Sequence, residues 1–220
     1  MLTMLALLAI AKAPDPISLA ASESVWVYTH AGNPSGDEFL RVWGVGGMAT
    51  PEGKGEGDDW SYGYVNWDVS SLGAGAPKSA VLTVYNANPA GFGDVATATA
   101  APLQVRGLVG TFTGKAWDYS LSLKIHPDLA KTIFGTGVPK PWGDSKEPIS
   151  ISVDLMKGPG DFKAYLAAAK SSDTHTLNLA FTSAIDPNTA EGGGGKGGVY
   201  KIYSAATKTA NLKPTLTLEY

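Results

Sequence analysis

Apolar and polar positions alternate with a period of two along most of this chain, between clusters of glycine, proline, asparagine and serine. The clearest case is Ile149-Ser150-Ile151-Ser152-Val153-Asp154, which follows Pro148. Such alternation places successive side chains on opposite faces of a half-buried strand. Similar β-branched and aromatic runs occupy residues 24–28, 39–43, 60–69, 78–85, 103–108, 177–181, 199–204 and 213–220. The pattern predicts about nine strands, and their spacing suits an all-β, antiparallel, jelly-roll-like sandwich. One or two short helices interrupt it. Residues 162–169 repeat apolar positions at helical spacing behind Asp161, a natural N-cap, with Phe162, Tyr165, Leu166 and Ala169 on one face. His126-Pro127-Asp128 opens a second helical turn running to residue 134, because proline is tolerated at a helix start.

Alternation also assigns faces. On the long strand, Val65, Trp67 and Val69 share one side and Trp60, Tyr62 and Tyr64 the other. If the aliphatic set claims the core, then Val25 and Val27, Leu40 and Val42, and Val65 and Val69 point inward. Trp26, Tyr28, Arg41, Trp43, Trp60, Tyr62 and Tyr64 then point outward. These seven are the candidate ligand-binding residues. Sugar C–H groups pack on the negative face of an aromatic ring, and Arg41 favours an acidic polysaccharide through bidentate bonds. The competing reading is that residues 110–148 and the helix cover the outer face, which makes the aromatics a second core.

Composition narrows the function. The 220 residues carry a net charge of −3 and only 17% charged side chains, which gives no electrostatic reason to expect nucleic acid. No cysteine is present, so disulfides and thiolate chemistry are excluded. The run MLTMLALLAIA at residues 1–11 has the length of a signal-peptide core and is too short to span a bilayer. Small residues follow, with cleavage points after Ala20 or Ala13. The expectation is a signal peptide at residues 1–20, one sandwich domain at 21–220, a secreted or cell-surface location, and no membrane span in the mature chain. The alternative is an N-terminal strand or helix that packs on the domain.

Four segments in order resemble the DNRLRE domain, which overlaps carbohydrate-binding module family 96. They are Tyr64-Val65-Asn66-Trp67-Asp68-Val69-Ser70-Ser71-Leu72, Ala80-Val81-Leu82-Thr83-Val84-Tyr85, Ile151-Ser152-Val153-Asp154-Leu155 and the terminal Lys213-Pro214-Thr215-Leu216-Thr217-Leu218. The resemblance spans residues 23–220. It implies an exported jelly-roll-like sandwich and, for some members, polysaccharide binding. The chain departs from the pattern at Ser24, at Lys115-Ala116-Trp117-Asp118 and at Tyr203-Ser204-Ala205.

No catalytic constellation assembles in the sequence. His30, His126 and His175 lack a partner at ligand spacing, and no G-x-S-x-G occurs. Gly192-Gly193-Gly194-Gly195-Lys196 lacks the spacing of a phosphate-binding loop. Asp68 and Asp154 precede turns and are expected to brace them. Glu52, Glu56, Asp58 and Asp59 lie in a glycine-rich loop with the oxygen chemistry for structural Ca²⁺, though not the spacing of an EF-hand. The expected function is therefore a non-catalytic module without a cofactor, structural Ca²⁺ aside, that binds polysaccharide or another cell-surface component. The alternative is a structural cell-surface or extracellular-matrix protein that acts through protein–protein contacts.

Overall fold

The structure is a computed structural model and describes residues 15–28, 31–33, 37–44, 60–113, 124–127, 133–185 and 198–220. Its strands are mostly antiparallel and form a sandwich-like all-β fold with two α-helices among these residues. The strands are β1 (Ile17–Ala20), β2 (Glu23–Tyr28), β3 (Ala31–Asn33), β4 (Phe39–Gly44), β5 (Trp60–Asp68), β6 (Ser79–Asn86), β7 (Leu103–Val109), β8 (His126–Pro127), β9 (Ile133–Gly137), β10 (Ile149–Asp154), β11 (Thr176–Thr182), β12 (Tyr200–Tyr203) and β13 (Thr215–Glu219). The helices are α1 (Val95–Ala100) and α2 (Phe162–Ser171). No helix is long and apolar enough to cross a membrane among the described residues.

One sheet is built around β6, which pairs with β10 and β13 and meets β12 at Asn86. β13 also pairs with β1, and β12 with β4. The other sheet is built around β5 and β11, with β2 and β3 on one side and β7 on the other, flanked by β8 and β9. The sheets join at one corner through β4, whose Trp43 and Gly44 pair with Ser61 and Trp60. At the opposite corner β9 runs close beneath β10. A Cβ on Gly135 would lie 2.4 Å from the Asp154 carbonyl oxygen, so that approach requires glycine.

The expected alternation holds in the β6 sheet. Leu82, Val84, Ile151, Val153, Leu216 and Leu218 are buried between the sheets with Leu40 and Val42. Val65, Trp67, Val69, Leu177 and Leu179 close the core from the β5 side. Burying such side chains stabilises by about 1.5–3 kcal/mol each. Helix α2 behaves as its spacing predicts. The Asp161 Oδ1 accepts from the Ala164 N–H at 3.0 Å, Phe162 and Leu166 are buried, and Tyr165 and Ala169 pack on the core.

Four expectations need correction. There are thirteen strands among the described residues, not nine. His126 and Pro127 form the short edge strand β8 rather than a helical turn, and Ile133–Gly137 is β9. Proline lacks a backbone donor, which suits the rim of a sheet. Helix α1, capped by Asp94, forms in the run of small residues at 86–101, where the sequence pattern predicts no element. Finally, Val25 and Val27 are buried on the far side of the β5 sheet, while Trp26 is the β2 residue that enters the inter-sheet core. Residues 1–14, the acidic loop bearing Glu52, Glu56, Asp58 and Asp59, and His30 lie outside the described residues.

The edge strand β1 bears on the expected cleavage point. Ile17, Ser18, Leu19 and Ala20 pair with Leu218, Thr217, Leu216 and Thr215, and Ile17 and Leu19 pack on the core. Cleavage after Ala20 removes this strand; cleavage after Ala13 keeps it. A chain beginning at Ala21 is expected to lose about 2 kcal/mol against one beginning at Asp15, which calorimetry should read as a Tm lower by roughly 4–8 °C. Asp161→Ala is expected to cost about 0.5–2 kcal/mol in denaturant unfolding; an unchanged midpoint would mean that the cap contributes nothing.

Candidate functional site

The outer face of the β5 sheet carries a second apolar cluster of Val25, Val27, Trp60, Tyr62, Tyr64, Leu108, Phe112, Ile125 and Ala180. The register explains it, since Val25 pairs with Tyr64 and Val27 with Tyr62. Trp60 and Tyr62 stack at 4.7 Å, and Phe112 lies 6.1 Å from Tyr64. The Tyr64 hydroxyl donates to the Ile125 carbonyl at 3.3 Å. Trp60, Tyr62 and Tyr64 are thus covered by the segment that follows β7 and are not exposed, contrary to the sequence expectation. The physical reason is that a fully apolar outer face is costly in water, and Phe112 and Ile125 shield it.

The structure brings together the other four candidates. Trp26 stacks on Tyr28 at 5.2 Å, and Trp43 lies 6.3 Å from each. The Arg41 guanidinium sits 5.1 Å over the Trp26 ring, and the Trp26 Nε1–H donates to Asp37 Oδ2 at 2.9 Å. That carboxylate also lies 3.9 Å from Arg41 Nη1. Trp26 is buried, whereas Tyr28, Arg41 and Trp43 are half-buried. The strip continues along β4 and β12. Phe39 meets Tyr203 at 4.8 Å, Lys201 Nζ lies 4.2 Å over Phe39, and Arg41 and Lys201 are direct cross-strand neighbours.

A second feature was not anticipated. A cleft of about 730 Å³ opens where β5 ends. Its walls are Ser22 and Glu23 from the start of β2, Asn66, Asp68 and Ser70 from the end of β5, Thr111, Phe112 and Thr113 after β7, and Thr174, His175 and Thr176 before β11. Asn66 ties two walls together, because its Oδ1 accepts from the Glu23 N–H at 3.0 Å. Asp68 Oδ1 accepts from the Ser70 N–H at 2.8 Å. Bonds from the Ser70 hydroxyl and backbone hold the Asp68 carboxyl below its ordinary range, with the nearby His175 adding to the effect against slight desolvation. His175 adopts the left-handed region at φ 47°. Its carbonyl accepts from the Val69 N–H at 2.9 Å, and its Nδ1 lies 2.7 Å from the Lys170 carbonyl oxygen. Asp154 braces its turn as expected, accepting from the Met156 N–H at 3.0 Å.

Three short segments held the signal for this cleft: Ser22-Glu23-Ser24, Thr111-Phe112-Thr113 and Thr174-His175-Thr176, each a residue flanked by hydroxyls at a strand end. No group of three or more His, Asp or Glu side chains could hold a metal ion among the described residues.

Burial gives the second core a measurable signature. Desolvation raises the Tyr62 phenol pKa well above its usual value near 10, opposed by Arg106, and raises that of Tyr64 further with Tyr62 beside it. The folded state then keeps protons that the unfolded state releases. Stability is fully present below pH ~10 and falls as pH rises beyond it. Alkaline absorbance titration should show part of the nine tyrosines ionising only as the chain unfolds. Ionisation of all nine in the native protein would contradict the buried assignment.

No protein-family model matches this chain, and no curated protein matches it either.

Proposed function

We propose that this chain is a non-catalytic β-sandwich module of the cell exterior, secreted or held at the cell surface, that binds polysaccharide. The observation that carries this reading is the half-buried strip of Tyr28, Arg41 and Trp43 on Trp26, extended by Phe39, Tyr203 and Lys201. Arg41 and Lys201 occupy the faces of Trp26 and Phe39. A pyranose ring would therefore meet Tyr28, Trp43 and Tyr203, and the two cations would bind its oxygens. Asp37 offsets part of the Arg41 charge, while no carboxylate pairs with Lys201 among the described residues. Like charges directly opposite on adjacent strands repel, and an anionic group between them relieves that. This favours a polymer carrying carboxylate or sulfate. The sequence resemblance to DNRLRE domains supports the same reading.

Affinity electrophoresis through gels cast with neutral and acidic polysaccharides tests it. Tyr28→Ala with Trp43→Ala should lose retention at least tenfold while keeping the β-sheet circular dichroism signal. If that variant unfolds, Arg41→Ala with Lys201→Ala, which removes no buried ring, should still lose retention on the acidic polymer. Undiminished retention in this second variant, or no retention of the parent, overturns the proposal. Assembly of the parent into oligomers that either variant dissolves would favour the protein–protein alternative instead.

A further inference from the structure

We propose that the aromatic strip continues onto the outer face of the β6 sheet, with Tyr85 as a further ligand-contacting residue, so that the site takes a long interior stretch of an acidic polysaccharide rather than a single sugar or a chain end. This rests on the polysaccharide reading above and adds the length of chain that the site holds. Register carries the strip there. Ile202 of β12 pairs antiparallel with Asn86 of β6, and both are buried. The Ala87 N–H donates to the Lys201 carbonyl at 2.7 Å beside them. The next residue on each strand, Tyr203 and Tyr85, therefore stands on the opposite, outward face, one beside the other. Phe39 flanks Tyr203 on β4, and Ser150 flanks Tyr85 on β10. One outward row thus crosses four strands, from Phe39 through Tyr203 and Tyr85 to Ser150. On one side of it lie Arg41 and Lys201, and on the other Thr215, Thr83 and Ser152.

The side chains on this path suit a sugar chain. Tyr85 is half-buried, and its side chain makes no hydrogen bond or ring contact among the described residues. Its ring is left to sugar C–H groups. The hydroxyls of Thr83, Ser150 and Ser152 likewise make no hydrogen bond among those residues, and each donates or accepts as a sugar hydroxyl requires. Asp154, the next outward residue of β10, is engaged by Lys157 at 3.4 Å and by the Met156 N–H at 3.0 Å. Acidic groups of the ligand are thus read at Arg41 and Lys201, while β6 and β10 take ring faces and hydroxyls.

Dimensions set the length. Adjacent strands lie about 4.8 Å apart, so the path from Tyr203 to Ser150 adds roughly 10 Å, or about two pyranose rings, to the strip. β6 is paired along both edges, with β10 and with β13. Tyr85 and Thr83 therefore stand on a fixed backbone, and a bound chain need order little of it. Ser152, at the far end of the path, is exposed, so a longer chain can run on past it.

Titration calorimetry near neutral pH with β-1,4-linked glucuronate dimers and hexamers tests the length. The hexamer should bind at least tenfold more tightly than the dimer. Tyr85→Ala should lower hexamer affinity about tenfold and leave the dimer unchanged, whereas Tyr85→Phe, which keeps the ring, should bind as the parent does. If Tyr85→Ala weakens the fold, Ser152→Glu at an exposed position should still repel the acidic hexamer and lower its affinity severalfold, again without effect on the dimer. A hexamer no tighter than the dimer, or hexamer binding indifferent to both Tyr85→Ala and Ser152→Glu, would overturn this extension and leave the strip itself standing. Failure of dimer and hexamer alike to bind would overturn both.

Discussion

Strand β5 is buried on both of its faces, and that double burial governs how the rest of the chain is arranged. Residues from Trp60 to Trp67 are all buried, with only Asp68 exposed at the end of the strand. One face meets the β6 sheet through Val65 and Trp67. The other holds Trp60, Tyr62 and Tyr64, which must be shielded from water. Tyr165 helps to pin the shield. Its hydroxyl accepts from the Leu108 N–H at 3.0 Å and donates to the Asn178 carbonyl at 2.7 Å, so α2 holds β7 and β11 together. Ser61, fully buried, donates to the Arg41 carbonyl at 2.6 Å and anchors β4 to β5 where the sheets join.

The strands were legible because a period of two survives wherever one face is wet. In β6 and β10 the outward residues are serine, threonine, tyrosine, an aspartate and a valine, and the inward set reads off directly. On β2 the same rule fails. Alternation separates Val25 and Val27 from Trp26 and Tyr28, but it cannot say which pair faces the main core when both sides are covered. Counting valine as the inward residue reverses the strand. The alternative, an outer face covered by residues 110–148 and the helix, is met in part: Phe112 and Ile125 join a second core, whereas Phe162 and Leu166 of α2 belong to the main one.

The cleft was illegible for a different reason. Beside the end of β5, its walls come from three hydroxyl-flanked residues at strand ends far apart in sequence. Periodicity carries no information about such ends. Register brings the β2 and β11 walls to β5, through Glu23 opposite Asn66 and Asn66 opposite Asn178. The aromatic strip stands between these cases. Trp26, Tyr28, Arg41 and Trp43 were selected for a shared outward face, and they do meet, but by packing across two strands at the sheet junction.

The pairing of the first and last described strands has a mechanical consequence. β1 and β13 are antiparallel, and Ile17 lies opposite Leu218. Residues 15 and 220 therefore leave the sheet from the same end of the same ladder. Tension between them loads the backbone bonds one pair after another, as in opening a zipper, rather than shearing all of them together. The ladder would yield from Ile17 towards Ala20 at low force, while β6, held between β10 and β13, would bear load only after β1 had peeled away.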